Sequence, residues 1–178
     1  MSRSLLPLPP NLPERIYLIG MMGVGKSTLG KQLANALGYS FIDTDKQIAF
    51  IEGRSIQQIF DEEGESYFRE AEHHILHQTA IEENTVIATG GGTPCFFDNI
   101  EWINRHGKSI YLEANPAFII SRVGHNTDKR PLLKGKQNSE LEPFIIQILA
   151  EREPYYSKAH LRLRLPVKSF PLSILSML

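Results

Sequence analysis

GMMGVGKST occupies positions 20–28, directly after the apolar run Ile16, Tyr17, Leu18 and Ile19. The nine residues satisfy GxxxxGK(S/T) through Gly20, Gly25, Lys26 and Ser27. Glycines let backbone N–H groups turn inward around phosphate oxygens, and a helix starting near the lysine aims its free N-terminal donors at the same anion. Lys26 supplies a point charge for the β- and γ-phosphates, and the Ser27 hydroxyl is a ligand for Mg²⁺. A glycine-rich turn that binds nothing is the alternative. The context decides against it: a buried strand precedes the loop, and Leu29, Leu33 and Leu37 follow at helical spacing with Gly38 as a stop.

Outward from the loop, short apolar runs alternate with helical patterns. Phe41-Ile42, residues 85–89 (TVIAT) and residues 109–112 (SIYL) read as buried strands, and the period-two stretch 160–165 (HLRLRL) as a half-exposed edge strand. Ser55 and Gln58 have capping-box spacing, with Gly64 ending that helix. Helices are also expected around Phe68, Ala71, Ile75 and Leu76, around Trp102 and Ile103, around Phe144, Ile145, Ile148 and Leu149, and over the terminal run 172–178. This alternation predicts an α/β fold with a parallel sheet covered by helices on both faces.

The 178 residues, 42% hydrophobic and 22% charged, suit one domain with a sizeable core. A net charge of −1 gives no basis for general nucleic-acid or membrane attraction. No run of about 18 apolar residues predicts a membrane span. A single cysteine, Cys95, excludes a disulfide framework and fits a reducing, cytoplasmic compartment. Residues 1–14, broken by prolines, read as a flexible leader to a single domain over 15–178. The polar, cationic stretch around 123–137 lacks periodicity, a property shared by lids and disordered loops.

Two features match a GTPase switch in letters only. Asp61-Glu62-Glu63-Gly64 spells DxxG but lies in a helical pattern, and residues 126–129 hold the letters of NKxD in the wrong order. Asp43-Thr44-Asp45 is more informative, because it follows a strand at the sheet edge where open α/β sheets bind ligands. One carboxylate can help hold Mg²⁺, while the other orients a substrate hydroxyl toward the γ-phosphate. A helix N-cap is the alternative. The strand at 85–89 ends in Gly90, Gly91 and Gly92 rather than in an aspartate, which leaves Asp43 as the metal-side carboxylate. His73 and His77 stand four apart with no third metal ligand evident, and Cys95 has no evident base partner; solvated and structural roles are expected for them.

Taken together, GMMGVGKSTLG, DTD, GESYFREAE, TGGG, KRPLL and EREPYY, in this order between Ile16 and Leu165, resemble the shikimate kinases. The resemblance implies a three-layer P-loop kinase fold of the nucleoside-monophosphate-kinase type, with a five-stranded parallel sheet and a mobile lid. It implies transfer of the γ-phosphoryl of MgATP to the 3-hydroxyl of shikimate by a cytoplasmic monomer, with Mg²⁺ as cofactor and ATP and shikimate as its small-molecule partners.

Carried onto this chain, Asp45, Lys26 and Arg130 are catalytic. Gly23, Val24, Gly25, Lys26, Ser27, Thr28, Arg122 and Arg130 bind ATP. Asp45, Arg69, Gly90, Gly91, Gly92 and Arg152 bind shikimate, and Ser27 and Asp43 hold the metal. The chain departs from the family in its longer leader and after Leu165, where residues 166–171 do not match the turn that contacts adenine. Another small-molecule P-loop kinase, of the gluconate or dephospho-coenzyme A type, is the nearest alternative. An ATP-binding regulatory module without an acceptor is a second.

Overall fold

The computed structural model describes residues 11–123, 131–133, 135, 137–167, 170, 174, 177 and 178. Five strands, β1 (Arg15–Ile19), β2 (Ser40–Asp43), β3 (Thr85–Ala88), β4 (Lys108–Glu113) and β5 (Leu161–Arg164), form one sheet in the order β2-β3-β1-β4-β5. Every pairing is parallel. The intervening helices are α1 (Lys26–Leu37), α2 (Thr44–Glu52), α3 (Ile56–Gln78), α4 (Asn99–His106), α5 (Pro116–Val123) and α6 (Asn138–Tyr156).

A parallel sheet must be covered on both faces, and β1 shows how the sequence does so. Ile16 and Leu18 enter a core with Leu33, Leu112, Ile119 and Ile145; Tyr17 and Ile19 enter another with Leu76, Trp102 and Ile103. A smaller cluster of Ile48, Ile59, Phe68 and Ile75 joins α2 to α3. β5 lies at the sheet edge with only Leu163 buried, as its alternation predicts.

The punctuation residues behave as their chemistry dictates. Gly38 ends α1 in the left-handed region at φ 72°. Ser55 and Gln58 form a reciprocal capping box on α3. Gly64, at φ 85° and ψ 177°, breaks α3 into two helical stretches. Asp61 lies within the first stretch, so the DxxG letters carry no switch geometry. Residues 126–129 lie outside the described residues, as do Arg130 and most of the stretch expected as a lid. So do residues 1–10 of the expected leader; within its remainder, the Pro13 carbonyl accepts from Tyr39 and the Glu14 carbonyl from the Thr85 amide. Of the terminal segment, Phe170 and Ile174 are helical and buried. Among the described residues, no helix is long and apolar enough to cross a membrane.

The register sets the site. Leu18 and Asp43 both pair with Ala88, so β1, β2 and β3 finish side by side. Gly20, Asp45 and Gly90 each follow two residues later and emerge at one level of one edge.

Gly30 lets α1 lie against the sheet, since a Cβ there would stand 2.6 Å from the Phe41 ring and 3.2 Å from Leu18. Gly30→Ala sets a helix-propensity gain of about 1 kcal/mol against an overpacking cost of about 1–3 kcal/mol. We expect a net loss of stability, read as a lower urea midpoint at unchanged m-value.

Candidate active site

The phosphate loop turns through Gly23 at φ 78° and Gly25 at φ 98°, conformations that L-residues with a Cβ rarely adopt. Gly25 is also the N-cap of α1, and no side chain caps that end. By contrast, Asp43 caps α2 and Ser55 caps α3. The first-turn amides of α1 therefore face the cleft without an internal partner, the arrangement an anion requires. The ammonium of the buried Lys26 bonds the carbonyls of Gly20 at 2.7 Å and Met21 at 2.9 Å. Desolvation lowers its pKa to about 8, against the opposing pull of Asp45.

The two carboxylates of Asp43-Thr44-Asp45 serve differently. Asp43 Oδ1 accepts from the Lys46 amide at 3.3 Å, and Oδ2 accepts from the Ser27 hydroxyl at 2.6 Å. The helix-cap and metal-side readings of Asp43 are thus compatible, because each uses a different oxygen. Asp45 is half-buried as a residue, but its Oδ1 is buried and has no hydrogen-bond partner. Desolvation, reinforced by Glu72 and Asp43, pushes its pKa up to about 7 despite Lys26 and Arg69. A buried acceptor left unpaired costs about 1–3 kcal/mol, so this oxygen is poised for a donor supplied from the cleft.

Arg69 and Arg152 approach from α3 and α6, and both are buried. They differ in how their charge is met. Arg69 is paired with Glu72 and with Glu65, the latter at 2.8 Å, and stacks over Phe96 at 4.2 Å. Arg152 has no carboxylate in an ion pair among the described residues; its guanidinium bonds the Met21 sulfur at 3.7 Å. A buried cation without a counter-ion calls for an anion from outside.

The glycine run makes this packing possible. A Cβ on Gly90 would collide with Glu72 and with Asp45 Oδ1, and one on Gly92 would lie 2.5 Å from Arg69. The glycines are therefore demanded first by the protein's own ionised side chains, whereas the sequence suggested only close approach of a ligand. Gly91 offers its carbonyl to the Tyr156 hydroxyl.

These groups line a single cleft of about 470 Å³. Lys26, Asp43, Asp45, Arg69, Glu72, Arg122 and Arg152 contribute its charges, and Ile56, Phe60 and Phe68 an apolar wall. Arg122, exposed at the end of α5, stacks its guanidinium on Phe118 at 5.1 Å. Val24 is buried beneath the loop, while Gly23, Ser27 and Thr28 line the cleft.

The comparisons with known proteins agree with this geometry. A family model described as shikimate kinase matches residues 22–167. The chain belongs to the shikimate kinase family. A curated shikimate kinase of Bacteroides thetaiotaomicron is 46% identical over 145 residues, covering 82% of this chain and 83% of the relative. A crystal structure of shikimate kinase from the same organism matches with a TM-score of 0.84 at 41% identity, over 93% of this chain and 96% of that one. The Acinetobacter baumannii shikimate kinase in complex with shikimate matches with a TM-score of 0.83 at 32% identity, over 92% and 89% of the two chains.

Three site residues escaped the sequence reading. Glu72 is buried, bonded to Arg69 and, at 2.6 Å, to the Thr93 hydroxyl. Thr93 and Tyr156 both hold the glycine run: the Thr93 amide donates to the Gly90 carbonyl at 3.3 Å and the Tyr156 hydroxyl to the Gly91 carbonyl. A signal for Glu72 existed: it stands three residues after Arg69 and four after Phe68, which places an acid on the apolar face of α3. Cys95 is inert as expected, since burial raises its thiol pKa to about 11.

The Asp45 shift has a consequence for stability. An acid whose pKa is raised in the fold contributes stability below its unfolded value, and that contribution is lost as pH rises through the folded one. For Asp45 the window runs from about pH 4 to about pH 7. Asp45→Asn should therefore gain melting temperature relative to wild type as pH rises from 5 to 8, as thermal unfolding across that range would record. An unchanged difference would mean that the carboxylate ionises freely.

Proposed function

We propose that this chain is a shikimate kinase that transfers the γ-phosphoryl group of MgATP to the 3-hydroxyl of shikimate, giving 3-phosphoshikimate and ADP on the route to aromatic amino acids. The observation that carries the reading is the pairing within one cleft of an unpartnered buried Asp45 oxygen with a buried Arg152 that lacks a carboxylate. A substrate bearing a hydroxyl and a carboxylate satisfies both.

In this reading Arg152 and Arg69 hold the shikimate carboxylate by charge-assisted, planar hydrogen bonds. Gly90, Gly91 and Gly92 leave room beside the ring, and Ile56, Phe60 and Phe68 pack its carbons. Asp45 accepts from the 3-hydroxyl and turns it toward the γ-phosphate. A carboxylate with a pKa near the working pH is well matched to accept that proton as the bond forms.

On the nucleotide side, the amides of Gly23, Val24, Gly25, Lys26, Ser27 and Thr28 cradle the phosphates, and the Lys26 ammonium neutralises charge on the transferred group. Ser27 and Asp43 suit Mg²⁺: a hydroxyl and a carboxylate already share a 2.6 Å contact at the uncapped start of α1, and both are hard oxygen donors. Held there by Ser27 and Asp43, the ion would offset the negative charge of the phosphates. Arg122 sits at the nucleotide end. Arg130, which we assign to a closing lid over 123–137, is placed by the KRPLL motif alone. We take residues 15–178 as one domain working as a cytoplasmic monomer.

A gluconate-type kinase also takes a carboxylate, but an open polyol chain gains little from a wall of two phenylalanines and an isoleucine. A regulatory module would have no use for a buried, costly set of ionised groups around an acceptor pocket.

Coupled ADP release with MgATP tests the assignment, run with shikimate, gluconate or dephospho-coenzyme A. Release should depend on shikimate; dependence on another acceptor would retain the phosphate loop and refute the clamp. Arg152→Ala should raise the shikimate KM by about 10–100-fold, the value of a hydrogen bond to a charged group, with kcat at saturation falling less. Asp45→Asn should lower kcat by about 10²–10⁴-fold and leave ATP binding intact. Wild-type kinetics in either variant would sink its role.

A further inference from the structure

The second stretch of α3 carries another set of chemistry-bearing side chains outside the cleft. One ring nitrogen each from His73 and His77 and a carboxylate oxygen of Asp98 lie within 4.8 Å of one another. The histidines stand one helical turn apart, with ring centroids separated by 4.1 Å, and both are half-buried. Asp98 comes from the segment before α4, a third ligand that the spacing along α3 does not reveal.

The tautomer of His73 is determined by its neighbours. Asn99 Nδ2 donates to the Thr93 carbonyl at 2.8 Å, so Asn99 Oδ1 is turned to His73 Nδ1 at 2.7 Å as an acceptor. His73 Nδ1 then carries the proton, and Nε2 keeps its lone pair for a metal. An amide oxygen behind the imidazole is the orienting partner that metal-bound histidines characteristically have. His77 Nε2 is buried and has no hydrogen-bond partner, a cost that coordination would remove. The His77 ring is held by stacking on Trp102 at 4.6 Å, and His73 by Phe97 at 4.7 Å. Phe97 itself sits at φ 52°, a conformation rarely adopted by a bulky residue, immediately before Asp98.

We propose that His73, His77 and Asp98 form a binding site for a divalent transition-metal ion of the zinc class, separate from the phosphate-transfer cleft. Two imidazoles and a carboxylate are a donor set for zinc, with a fourth position for water, and a poor one for Mg²⁺. Zinc ligands at about 2.0–2.1 Å lie about 3.3 Å from one another, so donors now up to 4.8 Å apart must close by up to about 1.5 Å. Asp98 is free to do so: its pairing with Arg105 at 3.1 Å joins two exposed side chains and opposes movement weakly. Bound metal would pin α3 to the segment entering α4. That segment reaches the cleft through Asn99, Thr93, Glu72 and Arg69 in a continuous chain of hydrogen bonds.

The chain has one tryptophan, Trp102, and it stacks on a proposed ligand, so its emission reports on the site. Chelator-treated, tag-free full-length protein would be titrated with Zn²⁺ in excess Mg²⁺, with Trp102 fluorescence followed and bound zinc counted by equilibrium dialysis. One equivalent should bind in the micromolar range and change the emission. His77→Gln and the surface variant Asp98→Asn should each weaken binding by at least about ten-fold. Both should keep shikimate-dependent ADP release. Wild-type protein that binds no zinc, or variants that bind it as wild type does, would overturn the site. Loss of shikimate specificity in all forms would instead count against the kinase assignment.

Discussion

Parallel pairing of β1 between β3 and β4, and of β3 with β2, is the constraint on which the rest of this molecule depends. Parallel neighbours cannot be joined by a tight turn, so each return crosses the sheet as a helix and every strand ends at the same edge. The edge collects the phosphate loop from β1, the aspartate pair from β2 and the glycine run from β3 within one register. β1 bears this load because alternate side chains enter two separate cores, which fixes its position on both faces.

Around that edge the protein gathers the buried Lys26, Arg69, Arg152 and Glu72 and the half-buried Asp45. Burial of ionised groups is costly unless each finds an opposite charge and a full set of hydrogen bonds. Arg69 and Glu72 meet that condition with each other, and Thr93 completes Glu72. Asp45 and Arg152 do not. The unmet demand is placed where a hydroxyl and a carboxylate would satisfy it, which is the trade of stability for function expected at a binding site. The raised pKa of Asp45 and the lowered pKa of Lys26 share their leading cause, desolvation, while the mutual attraction of the two groups limits both shifts.

α3 joins these themes. Its first stretch is started by the Ser55–Gln58 box and broken by Gly64; its second carries Arg69 and Glu72 toward the cleft and His73 and His77 toward α4. A helix that serves two neighbours must place polar groups on faces that would otherwise be apolar. Phe68, Ile75 and Leu76 supply the packing that holds it there.

Much of this was legible in the sequence because the signals are local. The phosphate loop, the Gly38 stop, the Ser55 capping box and the alternation of β5 follow from the conformational needs of neighbouring residues. The motif order, read as a whole, pointed to the family that the comparisons establish. Other properties depend on contacts between residues far apart in the chain, which no local pattern encodes. Asp43 could be read as a cap or as a metal-side acid, and only the approach of Ser27 from α1 showed that its two oxygens allow both. The glycine run proved to be shaped by Glu72 and Arg69 from α3. Asp98 came to His73 and His77 across a gap of more than twenty residues. The sequence by itself determined which elements form and what chemistry they carry. The tertiary structure alone decided which charges are paired, which stay unmet and which side chains share a site, because burial and pairing arise only when separate elements pack together.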